Sequence, residues 1–360
     1  MKISRNKIIY MIYFNTLLIL FLTYYTTSIY MVLENRNISR ILLLVFTFLL
    51  ICINSKKIFI SKNYLCYFFL ICCTFFLRKY YLSFYIILIS WLINKKARLK
   101  QLLYIMIFFY VLTLILNSFG YLESSIFEEV RKFAKFKIFR HSLGFPHPNT
   151  AMSLLLPIFL LFYYVYYDNY KKIVIFFIFI FSVFFFFLTF SRTTFLLIIL
   201  FIGLIFIKEK LIKKFKIIFY LEGLILVLCS ILLPKFLKNT RIDQVFSRRF
   251  YLFDYYLINF KPKYFNNIII DKDYRIYPLD NAYLRILFEN GKIGLLLILL
   301  LTIVTMIILF KQKDYKAIKI FSIILIFGFM EATALYYYFN VIYFIITDYI
   351  FNKEIFYDKK

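Results

Sequence analysis

The sequence predicts an all-α fold, a polytopic transmembrane helical bundle, on three observations. The first is composition: of 360 residues, 63% are hydrophobic and only 18% charged, against roughly 45–50% and about 25% in soluble domains. The second is that the apolar residues gather into runs, several of them near the ~20 residues a helix needs to cross hydrocarbon about 30 Å thick. The third is the distribution of Lys and Arg, which alternates between rich and poor segments from one run to the next. Scarce Gly (7) and Pro (6) exclude collagen-like and linker-rich chains. The 49 Phe and 33 Tyr supply the apolar volume.

The clear apolar runs cover 8–30, 41–53, 102–119, 151–167, 173–190, 193–207, 217–233, 293–310 and 320–338. Shorter ones cover 65–77, 80–93 and 341–351. Taking all as spans gives about twelve, with a range of 10–12 because 65–77 and 80–93 can instead form a re-entrant pair. The first run is too long for a cleaved signal peptide and lacks a small-residue cleavage site. The whole of 1–360 then reads as one integral membrane domain. It carries an outer loop at 120–149 and a large outer loop at 234–291 between spans 9 and 10.

With a cytoplasmic N-terminus, the inner segments hold twenty-four Lys and Arg and the short outer turns few, so both chain ends read as cytoplasmic and the location as the plasma membrane. About half of the 45 Lys and Arg behind the net +27 are thereby topological and need no nucleic acid. The rest concentrates outside. Five cysteines (Cys52, Cys66, Cys72, Cys73, Cys229) lie in apolar runs without a CxxC pair, which argues against a zinc site or a disulfide framework.

Four outer clusters carry candidate chemistry. Both histidines fall in Arg140-His141-Ser-Leu-Gly-Phe-Pro-His147-Pro-Asn149, where a His can act as a base near neutral pH; the bland alternative is that His147 and Asn149 cap a helix. Phe190-Ser191-Arg192-Thr193 places an Arg at membrane depth, by default a functional residue, with snorkelling as its plain alternative. Ser247-Arg248-Arg249 leads into Phe250, Phe253 and Leu257 at helical spacing, an interfacial helix whose arginines meet lipid phosphate. The mixed segment 126–140 has the same plain account.

The fourth cluster, Leu279-Asp280-Asn281-Ala-Tyr283-Leu-Arg285 through Glu289 to Gly291, reads as a short helix with Asp280 at its N-cap and Gly291 as its stop. Asn281, Arg285 and Glu289 share one face. Glu331 sits inside the 320–338 span, where a carboxylate needs an Arg partner or a cavity. Asp271-Lys-Asp273 is a weak DxD match, and no metal or other cofactor is expected.

At these residues the chain resembles the Wzy-type bacterial polysaccharide polymerases and the O-antigen ligases. The Arg140…Gly-Phe-Pro-His147-Pro-Asn149 segment is similar to the polymerase motif of capsule and exopolysaccharide systems. Thr189-Phe-Ser191-Arg192 is similar to the family's outer Ser-Arg turn. Ser247-Arg248-Arg249 resembles its Ser-Gly-Arg, with Arg248 in place of the glycine. Leu279 to Gly291 resembles the segment closing the long loop. Asp280 stands where ligases usually carry a catalytic His, as in polymerases, and the family's Pro-x-x-Gly-x-Gly turn is absent from 261–267.

The resemblance implies glycosyl transfer on the outer face between undecaprenyl-diphosphate-linked glycans, as donor and acceptor. It gives Arg192 and Arg249 the diphosphate leaving group, and Asp280 or His147 the acceptor proton. Arg140, His141, Asn149, Arg248, Asn281, Tyr283, Arg285 and Glu331 would line the substrate path. Implied partners are membrane lipid and the pathway's flippase and chain-length regulator. The alternatives are ligase-type transfer of finished polymer to another acceptor and, in a different class, a lipid-linked oligosaccharide flippase, for which long charged outer loops are unusual.

Overall fold

A computed structural model describes residues 13–15, 95–122, 124–130, 137–265, 278–336 and 340–351. The expected spans at 41–53, 65–77 and 80–93, all but residues 13–15 of the span at 8–30, both chain ends and Asp271-Lys272-Asp273 lie outside the described residues. What is described is mostly helical. Among these residues four helices are long and apolar enough to cross a membrane. The chain divides into two compact units, one ending at Ile199 and one that takes up the chain from Leu200.

The first unit contains α1 (Lys95–Ser118), the strands β1 (Ile126–Val130) and β2 (Lys137–His141), and the 42-residue α2 (Pro148–Thr189). Helix α1 extends the expected 102–119 run backwards through Lys, Ala, Arg, Leu and Gln, all good helix formers. It stops where Gly120 turns left-handed (φ +76) and Tyr121 N–H donates to the Leu116 carbonyl at 2.9 Å, a Schellman-type stop. The two strands pair antiparallel with Ile126 opposite His141 and Phe127 opposite Arg140. This hairpin corrects the all-helical expectation. The Ile-Phe steps at 126 and 138 are β-branched and aromatic residues without a helical apolar period, and a ladder satisfies their backbone.

Straight, α2 would be about 63 Å long, twice the hydrocarbon thickness. It is not straight. Tyr170 breaks it at φ −137, ψ 46, and the two arms, 148–169 and 171–189, fold back on each other. Phe162 and Phe177 meet with ring centroids 5.0 Å apart, and Tyr110 of α1 touches both arms, donating to the Ala151 carbonyl at 3.1 Å and packing on Phe185. The break falls in Asp168-Asn-Tyr-Lys-Lys172, the polar turn expected between two spans. An apolar cavity of about 210 Å³ lies between α1 and the arms, lined by Val111, Ile158, Phe159, Phe177, Phe181 and Phe185 among others.

Helix α3 (Arg192–Phe206) carries the chain onward. The second unit adds α4 (Glu209–Lys214), α5 (Lys216–Leu237), α6 (Arg241–Val245), α7 (Arg249–Asn259), α8 (Ala282–Glu289), α9 (Gly291–Lys311), α10 (Tyr315–Met330), a 3-10 turn (Ala332–Leu335) and α11 (Ile342–Phe351). Helix α5 packs on α7, α9 and α10. Gly223 permits this, since a Cβ there would lie 2.7 Å from Thr302 Oγ1 of α9. Gly291 is left-handed (φ +78), the expected stop after α8, and α9 starts on it.

The expected 320–338 span is corrected. Helix α10 starts at the Asp314 cap, which accepts from Ala317 N–H at 3.0 Å, and ends at Met330. Glu331 is extended (φ −142, ψ 125) and the 3-10 turn follows. Glu331 therefore sits at a helix break rather than inside a helix.

Gly144 fixes how the His-containing segment meets α1. It is left-handed (φ +83), and a Cβ there would lie 2.8 Å from Asn117 Cβ and 3.3 Å from the Thr113 carbonyl. Both restraints are backbone-proximal and cannot swing away. Gly144→Ala is expected to cost about 1–3 kcal/mol, read as a lowered thermal midpoint of the purified protein; an unchanged midpoint would refute the close approach.

Candidate functional site

In the second unit, the Ser-Arg-Arg motif is shaped by a turn that nothing in its own residues announces. Thr240 caps α6, its Oγ1 accepting from Asp243 N–H at 3.3 Å. The buried Asp243 carboxylate then accepts from Phe250 N–H at 2.8 Å, Tyr251 N–H at 3.3 Å and Asn239 N–H at 3.1 Å. An anion on the first amides of α7 is favourable for hydrogen bonding and for the helix dipole. Ser247 and Arg248 are both left-handed (φ 56 and 59). The turn exposes Arg248 and buries Arg249.

Arg249 is the centre of the site. Its Nη1 donates to the Met330 carbonyl, and its Nη2 lies 2.8 Å from Glu331 Oε1 and 3.2 Å from Asp280 Oδ2. Three sequence clusters thus converge on one guanidinium. The expectation that Glu331 pairs with an Arg holds. The expectation that Asp280 is the N-cap of α8 does not, because the cap is Asn281, whose Oδ1 accepts from Leu284 N–H at 2.9 Å. Asp280, one residue earlier in the chain, turns its carboxylate to Arg249 instead.

Asn281 is fully buried (0% exposed). Its Nδ2 donates to Ser230 Oγ at 2.9 Å and to the Phe329 carbonyl at 3.0 Å. One amide therefore joins α5, α8 and the end of α10. Tyr283 is likewise buried, donating to the Leu325 carbonyl at 2.8 Å. Arg285 pairs with Glu289 at 2.9 Å, one helical turn away. The structure therefore brings Arg249, Asp280 and Glu331 together, and places Asn281 and Tyr283 in the packing beneath them.

The first unit holds a second cluster. Arg140, on β2, donates from Nε to the Thr189 carbonyl at 3.0 Å and from Nη2 to Asn149 Oδ1. It thereby fastens the two ends of the α2 hairpin. His147 is the N-cap of α2, its Nδ1 accepting from Asn149 N–H at 3.1 Å, so the capping alternative describes His147, while the Asn149 side chain is taken by Arg140. The His147 ring packs on Phe127 at 5.0 Å. His141, half-buried, is the last residue of β2. Arg192 opens α3 after the left-handed Phe190 (φ 48) and the buried Ser191, three residues from the carbonyl that Arg140 holds.

Among the described residues no group of three or more His, Cys, Asp and Glu converges as a metal site would require. Sequence reasoning missed Asp243, although Thr240-Arg-Ile-Asp243 is a legible capping-box spacing. It also missed the two main-chain acceptors, Met330 and Thr189, for which no side-chain signal exists.

Two substitutions test this geometry by thermal or denaturant unfolding. Asn281→Ala removes a cap and strands two buried partners, and should destabilise the protein by about 2–4 kcal/mol. Arg248→Gly relieves a left-handed residue on an exposed position and should be neutral to stabilising by up to about 1 kcal/mol; a marked loss would contradict the turn. No protein-family model matches the chain, and no curated protein or solved structure does.

Proposed function

We propose that the chain is a multi-pass plasma-membrane glycosyltransferase of the Wzy polymerase type, joining undecaprenyl-diphosphate-linked repeat units on the outer face. In this reading the chain crosses the membrane about twelve times with both ends cytoplasmic, and the segment 234–291 is its large outer loop. The observation that carries the proposal is the 3.2 Å pairing of Arg249 with Asp280. These are the two motif residues whose chemistry the transfer needs, and they meet at a largely buried point.

The reaction requires a cation for the leaving group and an acceptor for a proton. The acceptor hydroxyl oxygen bonds to the anomeric carbon of the growing chain. The bond from that carbon to the diphosphate oxygen breaks, and its electron pair leaves with undecaprenyl diphosphate. The hydroxyl proton passes to a base. Arg249 suits the diphosphate because its planar fork matches two phosphate oxygens. Asp280 is the base in this reading, because Nδ1 of His147 is already engaged as a helix cap. The resemblance assigns Arg192 to the same leaving group.

The test uses a strain lacking the chromosomal copy, complemented with variants. Arg249→Lys keeps the charge and loses the fork. It should be present in the membrane at the wild-type level, yet yield single lipid-linked repeat units in place of long polymer, with at least about a hundredfold loss of chain lengthening, the order seen when a transition-state donor is removed. Polymer of normal length in that strain would end the proposal. Arg192→Lys gives an independent second reading.

A further inference from the structure

In the second unit, we propose that α4, the start of α5 and the turn between α9 and α10 form a binding site for an anionic phospholipid, with lysines on its phosphate and α5 along its acyl chains. The inference needs only that α5 and α9 cross a membrane, for which both are long and apolar enough. It is independent of the polymerase reading.

Two segments far apart in sequence build the surface. The first is Lys208-Glu-Lys-Leu-Ile-Lys-Lys-Phe-Lys216, which holds α4 and the first residue of α5. Ile212 is buried (1% exposed), so α4 is seated by its apolar side and its lysines are left outward. Lys208, Lys210, Lys213, Lys214 and Lys216 are all exposed. The second segment is the turn after α9, where Lys311 and Lys313 are exposed. Aromatic rings hold the two together. Phe310, near the end of α9, packs on Tyr220 of α5 at 5.1 Å and on Tyr315 of α10 at 6.5 Å. Lys213 Nζ lies 5.2 Å from the centre of the Tyr315 ring, a cation–π contact that ties α4 to α10.

Charge and polarity select the occupant. Among the described residues of these two segments, seven lysines stand against two acids, Glu209 and Asp314. Asp314 is already engaged, accepting from Ala317 N–H at 3.0 Å as the cap of α10 and from the Tyr349 hydroxyl at 2.7 Å. The excess is positive, and it lies at the ends of two membrane-length helices, where lipid headgroups sit. Each lysine near an anionic lipid surface strengthens the attraction about fivefold. Apolar side chains stand beside the lysines: Leu211, Phe215, Ile217 and Ile218 are 45–65% exposed. A soluble anion has no contact to make with them, whereas acyl chains cover them. Orienting the chain accounts for lysines between spans in any grouping. It does not account for two segments fastened into one basic and apolar surface.

The test is calorimetric titration of the purified full-length protein, in a neutral detergent, with dioctanoyl phosphatidylglycerol. This lipid should bind at least about tenfold more tightly than dioctanoyl phosphatidylcholine, which has the same chains and no net charge. Lys210→Gln/Lys214→Gln/Lys313→Gln should weaken phosphatidylglycerol binding about a hundredfold. Lys235→Gln/Lys261→Gln/Lys263→Gln removes the same charge elsewhere and should leave binding within about twofold, since salt screens distant charges. All six lysines are exposed, so neither variant disturbs the packed interior. Equal affinity for the two lipids overturns the site. So does unchanged binding in the first variant, or an equal loss in the second. Glycerol phosphate binding as tightly as phosphatidylglycerol would reveal a phosphate site without a place for chains. A single-stranded oligonucleotide binding more tightly through the same lysines would reveal a nucleic-acid surface. Either result overturns the lipid assignment.

Discussion

A buried guanidinium must be paired, and the second unit is arranged around meeting that demand for Arg249. Its named partners come from two places in the chain: Asp280 ahead of α8, and the consecutive Met330 and Glu331 at the end of α10. The elements that carry them are seated by hydrogen bonds. Asp243 seats the first turn of α7, Asn281 seats α8 against α5, and the end of α10 is seated by the arginine itself. The last carbonyls of a helix have no intrahelical donor. At α10 two of them, Phe329 and Met330, are taken by Asn281 and Arg249. Helix end and charged site are one object.

The first unit pairs a half-buried guanidinium in a similar way. Arg140 donates to the carbonyl of Thr189, the last residue of α2, as Arg249 does to that of Met330, the last residue of α10. In each case a cation meets the negative end of an apolar helix, a placement that also suits the helix dipole. The difference lies in the second partner. Arg140 has the neutral amide of Asn149, and its role is to close a hairpin. Arg249 meets two carboxylates as well as a carbonyl.

Much of this was readable from residues alone, and the limits have physical causes. Apolar runs located α1, α5 and α9 closely, because a membrane-scale run leaves few alternatives to a helix. The polar turn at 168–172 located the break at Tyr170, and Gly291 marked the end of α8. The end of α10 was not readable. The apolar run continues through Ala332–Leu335 with no Pro, its one Gly (Gly328) lies inside α10, and long-range hydrogen bonds gather at the break. Asp280 and Asn281 are equally good caps by type, so local chemistry cannot decide which one turns inward. The choice between Arg248 and Arg249 rests on two left-handed residues, neither a glycine. The hairpin of β1 and β2 was missed because five-residue strands in a mixed segment carry little period.

Arg140 precedes both residues it joins, and this gives the closure of α2 a direction in time. Asn149 emerges from the ribosome soon after the arginine. Thr189 follows roughly forty residues later, about 2–8 s at ordinary synthesis rates. During that interval the first arm is already delivered and the guanidinium has yet to meet its carbonyl. The second arm, on arriving, finds a waiting donor at one end and the Tyr170 turn at the other. The latch is therefore built before the door, and the order of synthesis itself favours the folded-back pair over two arms that drift apart in the lipid.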